Sequence, residues 1–476
     1  MNRSELLASL AACVGERHVL TAPTDIAPYA VDWRRKYVGQ AAAVVSPGST
    51  AEVAAVLQLA TAHRIPVVTQ GGNTGMSGGA TPDGTGTQIV LSTRRLNRIR
   101  QTDALNDTIE VEAGAVLEAV QVAASEVGRL FPLALAAQGS CTIGGNLATN
   151  AGGTAVLRYG NARDLTLGLE VVTPDGRIWN GLRGLRKDNT GYDLKQLYIG
   201  SEGTLGVITA AVLKLFPPPA ARRTAMLTLP SIDNAVQLLN RVRADLGPAL
   251  TAFEVISAAC VPVLQRHFPE MRWPFETLVP VVALIEMSDH ESEQHARDTL
   301  SFVLEQALED EIATDGVIGE SVAQSRALWA LREHLSEAQA KEGPHIKHDI
   351  SVPISRVAAF VDAAVKHVQL GFPGARMAWF GHLGDGNLHF NVLAPVGTDA
   401  LAFCAGQGDV NRLVHDLVHA HSGSISAEHG LGQLRRDENA RYKDGVELAL
   451  MQGLKQALDP LGLMNPGKVL RPLSAG

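Results

Sequence analysis

The sequence predicts an α+β protein of more than one domain, and three observations carry that expectation. The stretch AAAVVSPGSTAEVAAVLQLATAHRIPVVTQGGNTG runs from an apolar strand through a Ser-Thr cap and an apolar-periodic helix to a second strand, a βαβ-like opening. Three consecutive prolines, Pro217 to Pro219, then stop any central strand or helix, so a domain boundary falls there. Beyond them, strand-like runs such as TAMLTLP and LVPVVALIEM alternate with long helical stretches such as SVAQSRALWALREHLSEAQAKEG.

The elements follow in order. MNRSELLASLAACVGERHVL carries Glu5 and Glu16 inside its apolar pattern and reads as a first amphipathic helix rather than a signal peptide. After the βαβ-like opening come the strands QIVLST and TIEVEAG, then LTLGLEVVTPDGRIWN, whose Pro-Asp-Gly marks a hairpin turn. The second domain follows the prolines. The last sixty or so residues read as helices, DVNRLVHDLVHAH and GVELALMQGLKQALDP, and a short tail. The resulting division is 1–217, 218–415 with an antiparallel sheet, and a helical segment 416–476 that completes the active site.

Composition excludes several classes of function. With 476 residues the chain exceeds one compact core, and 46% hydrophobic against 19% charged residues describes an ordinary globular protein. A formal net charge of -8 argues against a nucleic-acid partner and for small molecules. The four cysteines, Cys13, Cys141, Cys260 and Cys404, form no CxxC pair, so neither a disulfide framework nor a thiolate zinc site is expected, and a cytoplasmic setting fits. No apolar run is long enough to span a bilayer. The basic clusters Arg94 to Arg100 and Trp33 to Tyr37 read as solvated loops or edges.

Forty-six glycines instead point to sites lined by backbone. TQGGNTGMSGG places Gly71, Gly72, Gly75, Gly78 and Gly79 after a strand, where successive N–H groups converge on a phosphate with no Cβ in the way. It is neither a Walker loop nor a GxGxxG fingerprint. GSCTIGGNLATNAGG and YIGSEGTLGVIT repeat the composition, and three such loops in one α/β unit suit a long ligand with a pyrophosphate and a flat ring system.

At these residues the chain resembles a known family. VVTQGGNTGMSGG, GSCTIGGNLATNAGG and RKDNTGYDLKQLYIGSEGTLGVIT resemble the FAD-binding module of the vanillyl-alcohol-oxidase flavoproteins, in the branch of D-2-hydroxyglutarate dehydrogenase and the FAD-linked D-lactate and glycolate dehydrogenases. The resemblance covers nearly the whole chain. It implies a two-part FAD-binding domain of the vanillyl-alcohol-oxidase (PCMH) type, with the pyrophosphate on Gly71, Gly72, Asn73, Thr74 and Gly75. Further FAD contacts are implied from Ser140, Thr142, Gly145, Asn150, Gly152, Glu202, Gly203 and Ile208. No histidine or cysteine occupies the Gly71–Gly79 loop, where some members attach their flavin, so non-covalent FAD is expected.

FGHLGDGNLHFN sets two histidines seven residues apart. On one helix they would lie roughly 10 Å apart, too far to share a metal. A hairpin turning on Asp385-Gly386 would put His382 opposite His389, within reach of one ion, with Asn391 on the same face. SISAEHGLG adds the carboxylate of Glu428 and the imidazole of His429. In the family named, GHLGDGNLH and EHG both match, which implies His382, His389 and Glu428 as ligands of a divalent metal and His429 as catalytic base. Two imidazoles and a carboxylate suit zinc first, manganese or cobalt as well.

ALWALREHLSEAQAKEGPHIKHDISVP carries Arg332 and Ser336, four apart on a predicted helix and so on one face, and Lys347 on the following strand. The resemblance implies that these hold the far carboxylate of a diacid, serine standing where the hydroxyglutarate dehydrogenases have threonine. Asn391 would hold the proximal end. The expected reaction is oxidation of a D-2-hydroxy acid, D-2-hydroxyglutarate first, to the 2-oxo acid by hydride transfer to flavin. D-lactate, D-malate and glycolate are alternative substrates. A metal-dependent hydrolase leaves the glycine loops unexplained, and a flavin-binding subunit without activity leaves the histidines unexplained. Oxygen, a quinone and an electron-transfer flavoprotein all stay open as electron acceptors, and a homodimer stays open as the assembly.

Overall fold

The computed structural model describes residues 1–472. The chain forms two compact units: one from Met1–Gly153, Gly160–Pro218 and the chain from Glu428 onward, the other from Thr154–Tyr159 and Pro219–Ala427. The proline run thus contains one crossing point. The other differs from the sequence expectation, because 415/416 falls inside the helix Gln407–Ala420, and the chain leaves the second unit only at Ala427. The segment 416–476 is therefore no separate domain. Helix Gly445–Leu458 belongs to the first unit, and just after it Val67 N–H donates to Leu463 O and Asn465 N–H to Val67 O.

In the first unit a small sheet has the order Val19–Leu20, Ala43–Val45, Ile89–Ser92, Val67–Gln70, the last three strands parallel. The two strands of the βαβ-like opening are thus not neighbours; Ile89–Ser92 lies between them. The helix joining them, Thr50–His63, starts at the Ser49 cap on Glu52 N–H and buries Val53, Val56, Leu57 and Ala60. A second, antiparallel sheet runs Ile99–Asp103, Thr108–Glu112, Val207–Lys214, Thr166–Val172, Ile178–Gly181, its last two strands joined at the Pro-Asp-Gly turn. Here the charge reading needs a correction. Arg100 is not a solvated residue: its side chain, 23% exposed, pairs with Glu112 at 3.3 Å and Glu170 at 3.0 Å between the strands. Glu112 is fully buried, and a buried carboxylate requires such partners.

The second unit is built on one antiparallel sheet ordered Asp315–Ile318, Ala221–Leu229, Val281–Asp289, Leu250–Ser257, Arg376–Gly381, Asn387–Leu393, His345–Ile346, with Asp349–Ser351 also paired to Asn387–Leu393. Helix Ile232–Leu246, capped by Ser231, buries Ile232, Ala235, Leu238, Leu239 and Val242, a helical stripe. The stretch read as one long helix is two, Val322–Glu333 and Leu335–Glu342. His334 stands at the break, its ring Nδ1 2.8 Å from Ala330 O and its ring 4.9 Å from that of Phe268 in a T-shaped contact. Among the described residues no helix is long and apolar enough to cross a membrane.

Candidate active site

The first unit carries a cleft walled by all three glycine-rich loops. Gly71, Gly72, Asn73, Thr74 and Gly75 line it from the end of strand Val67–Gln70, with Thr142 and Gly145 from the second loop and Glu202, Gly203 and Ile208 from the third. Of the expected FAD contacts, Ser140, Asn150 and Gly152 stand outside this lining. Physical reasons are visible for two. Ser140 is exposed and its hydroxyl donates to Ala137 O, while Asn150 spends its side-chain oxygen on Arg163 N–H. Ser77, Asn146, Thr149 and Ser201 also line the cleft and were missed, although each lies within or beside a loop already singled out.

Close approach explains the glycines. A Cβ on Gly72 would stand 2.2 Å from Ser140 O, a backbone atom, so the first two loops touch only because that side chain is absent. The cleft also suits a polar ligand. The hydroxyls of Thr69 and Thr142, both lining residues, are buried and have no hydrogen-bond partner among the described residues. A phosphate or ring carbonyl would satisfy them, and the loops' N–H groups would do the rest. The residues present therefore fit FAD.

His429 lines the same cleft. Its loop is held by several ties. Glu202 accepts N–H bonds from Leu431 at 2.7 Å and Gly432 at 2.9 Å; Ser77 Oγ lies 3.1 Å from the carbonyls of both His429 and Gly430; and Gln433 N–H donates to Ser77 O. Gly432, at φ +49°, would put a Cβ 2.1 Å from Ser77 O. Glu202 thus does more than face the cleft, since its carboxylate anchors the histidine loop. Burial pushes that carboxyl above its ordinary value, against the two N–H donors. Within the loop His429 Nε2 is 3.4 Å from Glu428 Oε1.

The second unit carries the paired histidines, with a register other than the one expected. Phe380, not His382, stands opposite His389, and Trp379 stands opposite Phe390. The symmetric turn is replaced by a 3-10 turn over Leu383–Asp385, with Asn387 N–H donating to the Asp385 carboxylate. His382 therefore sits just past its strand, yet its ring lies 5.7 Å from that of His389, centre to centre. Asp349 is paired with His389 across the neighbouring strand, and Ala427 N–H donates to Asp349 O.

Glu254 organises this cluster. It is a lone carboxylate in the strand LTAFEVIS, 1% exposed, with Oε1 2.5 Å from His382 Nδ1 and Oε2 accepting Arg332 Nε–H at 2.7 Å. Burial favours the neutral acid, but His382 and Arg332 hold the carboxyl at about 2. With Nδ1 bonded to the carboxylate, a cation would be taken at Nε2, the arrangement common to metal-binding histidines. His382 and His389 could hold a divalent cation.

The expected substrate residues lie on separate elements. Arg332 ends the first helix, buried, its guanidinium 4.6 Å above the Phe380 ring. Ser336 lies on the second helix and is exposed, and Lys347 is half-buried on the two-residue link between His345–Ile346 and Asp349–Ser351. Asn391 is buried and donates to Gln339 Oε1 at 2.7 Å. Sequence reasoning missed Glu254, although a single acidic residue in an apolar strand is itself a signal.

Residues 218–469 match the model for FAD linked oxidases, C-terminal domain, and residues 41–181 that for the FAD binding domain. D-2-hydroxyglutarate dehydrogenase of Xanthomonas citri pv. viticola is 40% identical over 97% of this chain and 96% of its own, and the enzyme of Stutzerimonas stutzeri 36% over 98% and 99%. The mitochondrial D-2-hydroxyglutarate dehydrogenase of Bos taurus is 40% identical over 95% of this chain and 81% of its own. Among solved structures, p-cresol methylhydroxylase with substrate bound superposes with a TM-score of 0.78 at 16% identity, over 99% of this chain and 98% of that one. For 4-ethylphenol oxidase from Gulosibacter chungangensis the TM-score is 0.72 at 17% identity, over 98% and 97%. At those identities the likeness is of fold, the PCMH type that the glycine loops led us to expect. Matched from end to end by relatives of one kind, the chain belongs to the FAD-linked D-2-hydroxyacid dehydrogenases of the vanillyl-alcohol-oxidase class.

Proposed function

We propose that this flavoprotein oxidises D-2-hydroxyglutarate to 2-oxoglutarate and needs a divalent cation, zinc before manganese or cobalt, to do so. Bound FAD supplies a two-electron acceptor, and the cation supplies Lewis acidity toward a 2-hydroxy carboxylate. His382 and His389 would hold the cation with Glu428. A ring nitrogen of His429 would take the hydroxyl proton, its loop held in place by Glu202 and Ser77. Arg332, Ser336 and Lys347 would grip the distal carboxylate and Asn391 the proximal end, two cations being more than a monoacid needs once its own carboxylate is on the metal.

One observation supports this most: His429 stands in the wall of the cleft that the glycine loops form, where a base must act if hydride is to leave for flavin. The test is anaerobic mixing of the yellow holoprotein with D-2-hydroxyglutarate, D-malate, D-lactate and glycolate, following loss of flavin absorbance. D-2-hydroxyglutarate is expected to bleach the flavin fastest, and treatment with a chelator to stop it without releasing FAD. Faster bleaching by a monoacid, or chelator-resistant bleaching, overturns the proposal.

A further inference from the structure

We infer that Glu254 is a positioning residue that couples the two recognition elements of the second unit, fixing His382 for a cation and Arg332 for an anion at once; the inference rests on the function proposed above. The residues it joins are distant in the chain, 128 and 78 positions from Glu254. They meet on one carboxylate. Among the described residues each oxygen has one hydrogen-bond partner, Oε1 at 2.5 Å from His382 Nδ1 and Oε2 at 2.7 Å from Arg332 Nε.

The consequences follow from the chemistry of the three groups. A carboxylate only accepts, so Nδ1 of His382 carries the proton and the lone pair of the neutral imidazole resides on Nε2, the nitrogen that a cation would take. On the arginine only Nε is used by Glu254, so the opposite edge of the guanidinium, with its two terminal nitrogens, keeps the fork that matches a carboxylate. Phe380 under the guanidinium fixes its plane. Phe380 also lies against His389, ring centres 5.1 Å apart, so one aromatic ring separates the arginine from the second imidazole.

Glutamine at this position tests the idea, because an amide cannot accept from both partners. If its oxygen keeps Arg332, its NH2 faces His382 Nδ1 and drives the imidazole proton to Nε2, the ligating nitrogen. If it turns over, its NH2 faces the guanidinium. The experiment uses the FAD-loaded full chain, stripped of metal and titrated with cobalt(II), whose absorption spectrum reports ligation. Glu254→Gln is expected to weaken cobalt binding ~10–100-fold and, in stopped-flow flavin reduction, to reduce the preference for D-2-hydroxyglutarate over D-lactate. Adding Glu254→Gln to Arg332→Met should change that preference no further, while still weakening cobalt binding. Glu254→Asp keeps the charge, and with it the fold, but is a methylene short of spanning both partners; it should keep one effect near wild type and lose the other. A folded Glu254→Gln with wild-type cobalt affinity and wild-type acid preference overturns the inference, as does an Asp variant with both intact. Wild-type protein that is bleached by D-2-hydroxyglutarate but ligates no cobalt overturns the cation reading first, and this inference with it.

Discussion

The flavin cleft and the imidazole cluster solve the problem of recognition in opposite ways. The cleft is made of backbone: glycines let the loops meet, as at Gly72 against Ser140 O, and small hydroxyls finish the wall. The cluster is made of side chains from separate strands and a helix end, held by charge on Glu254. A backbone-built site tolerates loss of a side chain but not the gain of one. A charge-built site is sensitive to both, and to protonation as well.

The difference can be tested on one cleft with two substitutions. His429→Ala removes a side chain from the cleft wall and is expected to leave the flavin spectrum and FAD content intact, while slowing flavin reduction by D-2-hydroxyglutarate ~10²–10⁴-fold, the usual share of a general base. Reduction within tenfold of wild type would remove His429 from that role. Gly72→Ala adds one carbon 2.2 Å from Ser140 O and 3.1 Å from Cys141 Cα, both backbone, so a loop must move. Forced overpacking costs about 1–3 kcal/mol. Set against binding, that weakens FAD ~10–100-fold, giving pale protein whose activity returns with added FAD. A fully yellow Gly72→Ala would show that the loops yield more readily than their contact suggests.

The same contrast explains what could be read from the sequence. Backbone chemistry is local, so TQGGNTGMSGG and GSEGTLGVIT announced the cleft, and the PDG hairpin and Ser49 cap were legible for the same reason. Side-chain sites depend on register and distant partners. The histidine hairpin was found but misaligned by two residues, because the 3-10 turn at Leu383–Asp385 takes up chain that a tight turn would not. Arg332 and Ser336 were placed on one helix because nothing in the spacing marks the break at His334. Glu254 lies more than seventy positions from either partner, beyond the reach of any local pattern. Asn150 and Gly152 have the composition of a loop that binds a ligand, but Asn150 serves Arg163 instead.

Acid offers the mildest test, because the second unit's helices are fastened by charge at a point away from the chemistry. Glu342, at the end of helix Leu335–Glu342, binds Arg376 at the start of its strand at 2.9 Å, Arg266 at 2.7 Å and His267 Nε2 at 2.9 Å. Burial alone would raise its carboxyl, but the bonds from His267, Arg376 and Arg266 hold it at about 2. A carboxyl depressed in the folded state stabilises fully above its unfolded pKa of roughly 4.3, and that contribution fades as pH falls toward the folded value. The side chain is 10% exposed but Arg266 is 59% exposed, so solvent screening reduces the full linkage figure. We expect about 1–3 kcal/mol at pH 7. Urea unfolding of Glu342→Gln against wild type should show that gap at pH 7 and a narrower one at pH 3.5. A gap of constant size would mean that Glu342 acts through packing and not through its charge, and the second unit would then owe less to ion pairs than its site does.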